Sequence, residues 1–261
     1  MRYDGVVINL VKRDVSVSTV GLLLIGNELL TGKIQDLNGH YLAKTCFDKG
    51  AVLQNITVVA DTHSAIANAV DRLRKEVDIL ITSGGVGPTH DDITYEGIAQ
   101  ALGVGLAAHP ILLEQIEGYF GKRTTDAHRT MAYLPEGSNL DFPNGASWPI
   151  VSVDNIYIFP GVPHIFAKKV DSIVHRLTGP QKKRRILRLK GDEGTIAAHL
   201  AWAESAFDVE IGSYPVFERP DINIHVTIEG EQASALTAAY NALQERLSTL
   251  VSKLEADTDA S

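Results

Sequence analysis

The 261-residue chain reads as an α/β protein in which a largely parallel sheet is wound by helices, followed by a small α+β unit. Two observations predict this. Short apolar runs over residues 20–25, 52–60 and 77–82 have the length and aliphatic character of buried parallel strands. Between them lie helical stripes such as Ile66, Ala69, Val70 and Leu73, which recur at i, i+3, i+4 and i+7. Strands and helices alternating at so short a spacing indicate a doubly wound sheet.

Residues 1–19 contain Asp4, Lys12, Arg13 and Asp14 and no long apolar run. That excludes a signal peptide or membrane span there and predicts a loosely held extension. The run over 20–25 ends in Gly26-Asn27-Glu28-Leu29-Leu30-Thr31-Gly32, at the polar end of a buried strand where α/β proteins build their sites. Asp36 and Asn38 precede a helix over 39–49 that Gly50 stops, and either side chain can cap it. After the strand over 52–60, Asp61-Thr62-His63-Ser64 forms a capped turn into the striped helix. The strand over 77–82 runs into a glycine-rich loop, and a helix over 93–102 follows with Asp92 as its N-cap. Pro110 opens a helix to Phe120, and 126–133 makes a shorter one. This region is expected to lid or flank the site. Residues 149–153 and 155–159, joined at Asp154, read as a β-hairpin. It ends in Phe159-Pro160-Gly161-Val162-Pro163, before a helix striped by Phe166, Val170, Ile173 and Leu177.

Gly179-Pro180 closes the main domain, which spans 20–179. A strand over 184–189, a helix marked by Ile196, Leu200, Ala203 and Phe207, and strands over 209–213 and 223–228 follow. The last two flank the turn Arg219-Pro220-Asp221. A final helix carries Leu236, Ala239, Tyr240, Leu243, Leu247 and Leu250. This βαββα subdomain, 180–255, shows no obvious chemistry, and 256–261 is a polar tail.

Composition narrows the function. With 44% hydrophobic and 21% charged residues the chain is ordinary for a globular protein, and its net charge of -8 argues against a nucleic-acid groove. The basic cluster Lys182-Lys183-Arg184-Arg185 reads as a solvated linker. A single cysteine, Cys46, excludes an internal disulfide and a cysteine-based zinc site, and fits a reducing, cytoplasmic setting. Beside Leu42 and Phe47 it is expected to pack in the core. No two of the nine histidines stand at helical metal-ligand spacing.

The chemistry concentrates in Ser83-Gly84-Gly85-Val86-Gly87-Pro88-Thr89-His90-Asp91-Asp92. Glycines let backbone N–H groups approach an anion, and a helix N-terminus behind them favours phosphate. Asp91 and Asp92 repel phosphate unless a cation lies between, so loop and acid pair together indicate a metal-bridged phosphate site. Asp36 can face the same cation. A side chain at Gly85 is expected to project toward the bound diphosphate. The plain alternative is a strand-to-helix turn in which Asp92 only caps the helix.

These motifs, with Asp36-Leu37-Asn38 and Pro160-Gly161-Val162-Pro163, resemble the molybdopterin-binding domain of the MoaB/MogA type, and within it the CinA and FAD-synthase branches. Residues 149–161 and Ile211-Gly212-Ser213-Tyr214-Pro215 look like the FAD-synthase branch. The resemblance implies a three-layer, parallel sheet of MoaB/MogA type with a mixed edge, and a small C-terminal α+β subdomain. It implies a divalent metal, magnesium, manganese or cobalt, held by Asp92, Asp36 and Glu28. Asp92, Asp36 and Asp91 would be catalytic, and Ser83, Gly84, Gly85, Val86, Gly87, Thr89, Asn38, Gly161 and Pro163 would bind substrate. Asn27, Asn144-Gly145-Ala146-Ser147 and His164 depart from the pattern.

The expected activity is hydrolysis of an adenine dinucleotide, FAD to FMN and AMP or ADP-ribose to AMP and ribose phosphate. Adenylylation of molybdopterin, a non-catalytic nucleotide-binding module and a fold that has lost catalysis are the alternatives. The expected partners are a small nucleotide or pterin and further copies of the chain, with neither nucleic acid nor membrane.

Overall fold

The computed structural model describes residues 16–216 and 224–250. The expectations for 1–15, for the turn Arg219-Pro220-Asp221 and for 251–261 lie outside these residues. The chain divides into two compact units between Gly179 and Pro180.

In the first unit the order is β1 (Thr19–Ile25), α1 (Asn27–Leu30), α2 (Asn38–Lys49), β2 (Val52–Val59), α3 (His63–Glu76), β3 (Ile79–Ser83) and α4 (Thr94–Leu102). There follow β4 (Leu106–Ala108), α5 (Pro110–Phe120), α6 (Asp126–Thr130), β5 (Tyr133–Pro135), β6 (Asn139–Asp141), β7 (Ile150–Val153), β8 (Ile156–Phe159) and α7 (Pro163–Ile173). The main sheet has the order β2-β1-β3-β8-β7-β6. Its first four strands run parallel, and β7 runs antiparallel to both β8 and β6, which gives the mixed edge.

Alternation along β1 builds two cores, because successive side chains leave a strand on opposite faces. Leu23 and Ile25 meet Ile66, Val70 and Leu73 of α3, Ile98 of α4 and Ile116 of α5. Leu22 and Leu24 meet Leu42 and Cys46 of α2, and Phe166, Val170 and Ile173 of α7. The result is a helix, sheet and helix sandwich. Phe159 and Phe166 are fully buried and pack edge to face, each burial worth roughly 1.5–3 kcal/mol.

The helices stop and start where local chemistry requires. The Thr62 hydroxyl accepts from the Ala65 N–H and caps α3, and Gly50 ends α2 in the left-handed region with φ 75°. Ser18 is not loose: its N–H donates to the Thr178 carbonyl at 2.8 Å and its hydroxyl to the Arg176 carbonyl at 3.0 Å. Tyr133 belongs to a strand and not to the helix expected over 126–133, since β5 pairs with β4 in a separate two-stranded sheet.

The second unit contains β9 (Lys183–Leu189), α8 (Glu193–Ala206), β10 (Glu210–Pro215), β11 (Ile224–Gly230) and α9 (Ala233–Arg246). Its antiparallel sheet has the order β10-β11-β9. Val226 and Ile228 of the sheet pack with Ile196, Leu236 and Leu243 from the helices in a core of its own.

Candidate functional site

Neighbouring strands β1, β3 and β8 are parallel, so the turns after Ile25, Ser83 and Phe159 open at one edge of the sheet. A cavity of about 730 Å³ lies there. Every residue expected to form the site lines it: Glu28, Asp36, Asn38, Ser83, Gly84, Gly85, Val86, Gly87, Thr89, Asp91, Asp92, Gly161 and Pro163.

The glycine loop is locked from behind. Gly84 has φ 109° and its N–H donates to the Phe159 carbonyl at 3.0 Å, while a Cβ there would collide with the Ile25 carbonyl. Gly85 has φ 66°, and its Cβ would meet the Thr94 hydroxyl and Ile25, inside the fold. The expected projection of a Gly85 side chain toward the diphosphate is therefore corrected. Thr94 is fully buried; its hydroxyl donates to the Gly84 carbonyl at 2.9 Å and its N–H to the Gly85 carbonyl at 3.0 Å. The Gly84 N–H is already engaged and so is lost to any ligand. Those of Gly85, Val86 and Gly87 have no partner among the described residues.

Asp36, not Asn38, caps α2. Its carboxylate accepts from the N–H groups of Asn38 at 2.9 Å and Gly39 at 3.0 Å. Asn38 is 5% exposed, and its side-chain amide donates to the Ser83 hydroxyl at 2.9 Å and the Gly161 carbonyl at 2.8 Å. One side chain thus fastens the end of β3 to the turn after β8. Its Oδ1 atom is buried without a hydrogen-bond partner among the described residues.

Asp92 does not cap α4. The N-cap is Ile93, with no side-chain cap, and the Asp92 carboxylate instead accepts from the Thr89 N–H at 2.9 Å and from the Thr89 hydroxyl. A tight Thr89–Asp92 turn, closed also by the Asp92 N–H on the Thr89 carbonyl at 3.1 Å, pulls the carboxylate back over the loop. The Asp91 carboxyl is held below the ordinary range, first by the nearby Thr89 side chain and then by its own N–H. Asp61, expected only in the capped turn before α3, also lines the cavity and accepts from the Asn27 N–H at 2.7 Å.

Among the described residues no group of three or more His, Cys, Asp or Glu side chains is close enough to hold a metal ion by itself. The donors are nevertheless hard oxygens on one cavity. The three carboxylates expected to hold a metal, Asp92, Asp36 and Glu28, do not form a complete ligand set by themselves, and a cation such as magnesium there would need substrate phosphate and water as further ligands.

The opposite side of the cavity is apolar. Tyr95, Leu112, Ile116, Phe120, Met131 and Trp148 form it, so the region from α5 to Trp148 flanks the site. Phe120 stacks on His128 at 3.8 Å between centroids, and Tyr119 stands edge-on to Trp148 at 5.4 Å. Lys169 of α7, which sequence reasoning missed, reaches this wall and donates to the carbonyls of Trp148 at 2.8 Å and Pro149 at 2.6 Å. Its only sequence signal was a cation one residue from the stripe position Val170.

A mixed α/β sheet with a glycine loop and carboxylates at the carboxyl ends of its parallel strands defines a small-molecule-binding α/β domain. The chain belongs to the family described as probable molybdopterin binding domain, which matches residues 21–179. Residues 183–254 match the FAD synthase, middle domain. Protein PH0439 of Pyrococcus horikoshii is 34% identical over 237 residues, covering 84% of this chain and 92% of that protein. A probable FAD synthase of Caenorhabditis elegans is 28% identical over 258 residues, and the chain spans 50% of its length. The crystal structure of CinA from Thermoplasma acidophilum, a protein described as of unknown function, matches with a TM-score of 0.56 at 26% identity, covering 62% of this chain and 98% of that one. No helix among the described residues is long and apolar enough to cross a membrane.

Proposed function

We propose that the chain is a metal-dependent pyrophosphatase that hydrolyses an adenine dinucleotide, FAD to FMN and AMP or ADP-ribose to AMP and ribose phosphate. The observation that carries this reading is the set of three unpartnered N–H groups, Gly85 to Gly87, on the same cavity as Asp36, Asp91 and Asp92. Those amides bind the non-bridging oxygens of a diphosphate without supplying a nucleophile. Asp92 and Asp36, with Glu28, would hold magnesium, manganese or cobalt together with phosphate oxygens. A bound cation of this kind neutralises phosphoryl charge and lowers the pKa of water.

The residues of the chain divide the work. Asp91, an exposed carboxylate on the cavity, serves to orient water by accepting its hydrogen bond. Water oxygen bonds to the adenylyl phosphorus, the bridging P–O bond breaks, and the second phosphate leaves with the electron pair while the water proton passes to solvent. The apolar wall of Phe120, Met131 and Trp148 takes a flat ring and excludes bulk water. The likeness to FAD synthase at both domains supports a flavin dinucleotide as one substrate.

A second reading, adenylylation of molybdopterin by ATP, is favoured by the family match over residues 21–179. One experiment separates the two. FAD, ADP-ribose, NAD and ATP are each incubated with the protein and magnesium, manganese or cobalt, and AMP is measured. AMP from both FAD and ADP-ribose is expected. Cleavage at a C–O–P ester linkage instead of the P–O–P bridge, or no hydrolysis of either, overturns the pyrophosphatase, and an adenylylated pterin formed from ATP and molybdopterin establishes the second reading.

A further inference from the structure

The cavity is lined by five carboxylates, Glu28, Asp36, Asp61, Asp91 and Asp92, and by one basic residue, Lys169. Lys169 is half-buried on α7 and makes no ion pair among the described residues. Asp171 on the same helix accepts from the Tyr41 hydroxyl at 2.6 Å. Two of the three ammonium N–H groups are engaged by the carbonyls of Trp148 and Pro149, which solvate the cation and supply no net charge. Burying a cation without a counter-charge is costly, and the Lys169 pKa is accordingly lowered by burial.

Topology locates this cation. Val151 of β7 stands opposite Ile158 of antiparallel β8, so continuing that register puts Pro149 level with Pro160. Pro160 and Gly161 border the glycine loop: a Cβ on Gly161 would lie 3.3 Å from the Gly84 Cα. The anchoring carbonyls therefore sit two strands along the sheet edge from β3, about 10 Å at ~4.8 Å per strand. A diphosphate with a hydrogen bond of about 3 Å at either end can bridge such a span.

We propose that Lys169 is an anion-binding residue that donates its remaining N–H to a phosphoryl oxygen of the substrate, fixing the diphosphate between α7 and the loop amides of Gly85 to Gly87. The proposal builds on the pyrophosphatase reading but concerns binding, so the two can fail separately. In the unliganded protein the carbonyls of Trp148 and Pro149 hold the ammonium in place. The ligand brings the counter-charge.

The test uses inorganic pyrophosphate, titrated calorimetrically into the full chain with and without magnesium, for wild type, Lys169→Gln and Lys169→Arg. Lys169→Gln keeps a polar head and loses the charge, and is expected to weaken binding at least about tenfold, as for loss of a charged hydrogen bond. Lys169→Arg is expected to restore most of the affinity. Ligand-free melting of each variant reports the carbonyl clamp separately. Wild-type affinity in Lys169→Gln, equal weakening in both variants, or no pyrophosphate binding by wild type each overturns the proposal. Charge-dependent pyrophosphate binding without AMP release from FAD upholds it and overturns the pyrophosphatase alone.

Discussion

The side-chain amide of Asn38 donates to the Gly161 carbonyl at 2.8 Å, joining residues 123 positions apart in sequence. The same amide holds the Ser83 hydroxyl, so a buried residue at the start of α2 sets the distance between the two turns that border the cavity. Asn38→Ala leaves both partners without their donor. A loss of about 1–3 kcal/mol in urea denaturation is expected, together with reduced AMP release, because the two turns lose their common fastening. Denaturation curves that coincide with wild type would show that water replaces the amide.

Gly85→Ala is expected to lower the melting temperature as well as ligand affinity. The residue sits at φ 66°, and the new methyl group would collide with the Thr94 hydroxyl. Strain of this kind costs about 1–3 kcal/mol. Thermal denaturation of the ligand-free protein measures it directly, and an unchanged melt with lost pyrophosphate binding would place the methyl group in the cavity after all.

For Asp92 the expectation is the reverse: activity falls by ~10–100-fold in Asp92→Ala, with little change in helix content. Its carboxylate engages Thr89 and makes no bond to the N-terminus of α4. Circular dichroism and AMP release measured on the same preparation check both halves. A matched loss of helix signal would return the residue to a capping role.

Cys46 is 1% exposed in the core beside Leu42, and burial pushes its thiol pKa up to about 12. At pH 8 the native thiol is expected to resist alkylation over hours and to react within minutes in denaturant, since only the thiolate is nucleophilic. Rapid labelling of the folded protein, read by mass spectrometry, would contradict that burial.

The long elements were legible from sequence because each carries its own period. β1, β3, α3 and α7 follow apolar runs or stripes that bury one recognisable face. The β4, β5 and β6 segments have three residues each, too few to show alternation, and are defined by partners elsewhere in the chain. At the site, residue types were readable and their hydrogen bonds were not. The loop glycines and acids are all on the cavity, yet whether Gly84 keeps its N–H depends on Phe159, and where Asp92 turns depends on Thr89. Lys169 was invisible for the same reason, since its partners are carbonyls contributed by the chain before β7.

The ring closed by Thr94 on Gly84 and Gly85 has a consequence for selectivity. A loop anchored through its own helix and through β8 has little slack to wrap around what enters, so free and occupied backbones should superpose within about 1 Å. Under the proposed function, such a cradle would take any diphosphate ester with the same small entropic penalty. Choosing among them then falls to the groups carried beyond the phosphates, which must suit the fixed aromatic surface of Phe120 and Trp148 or be turned away by it.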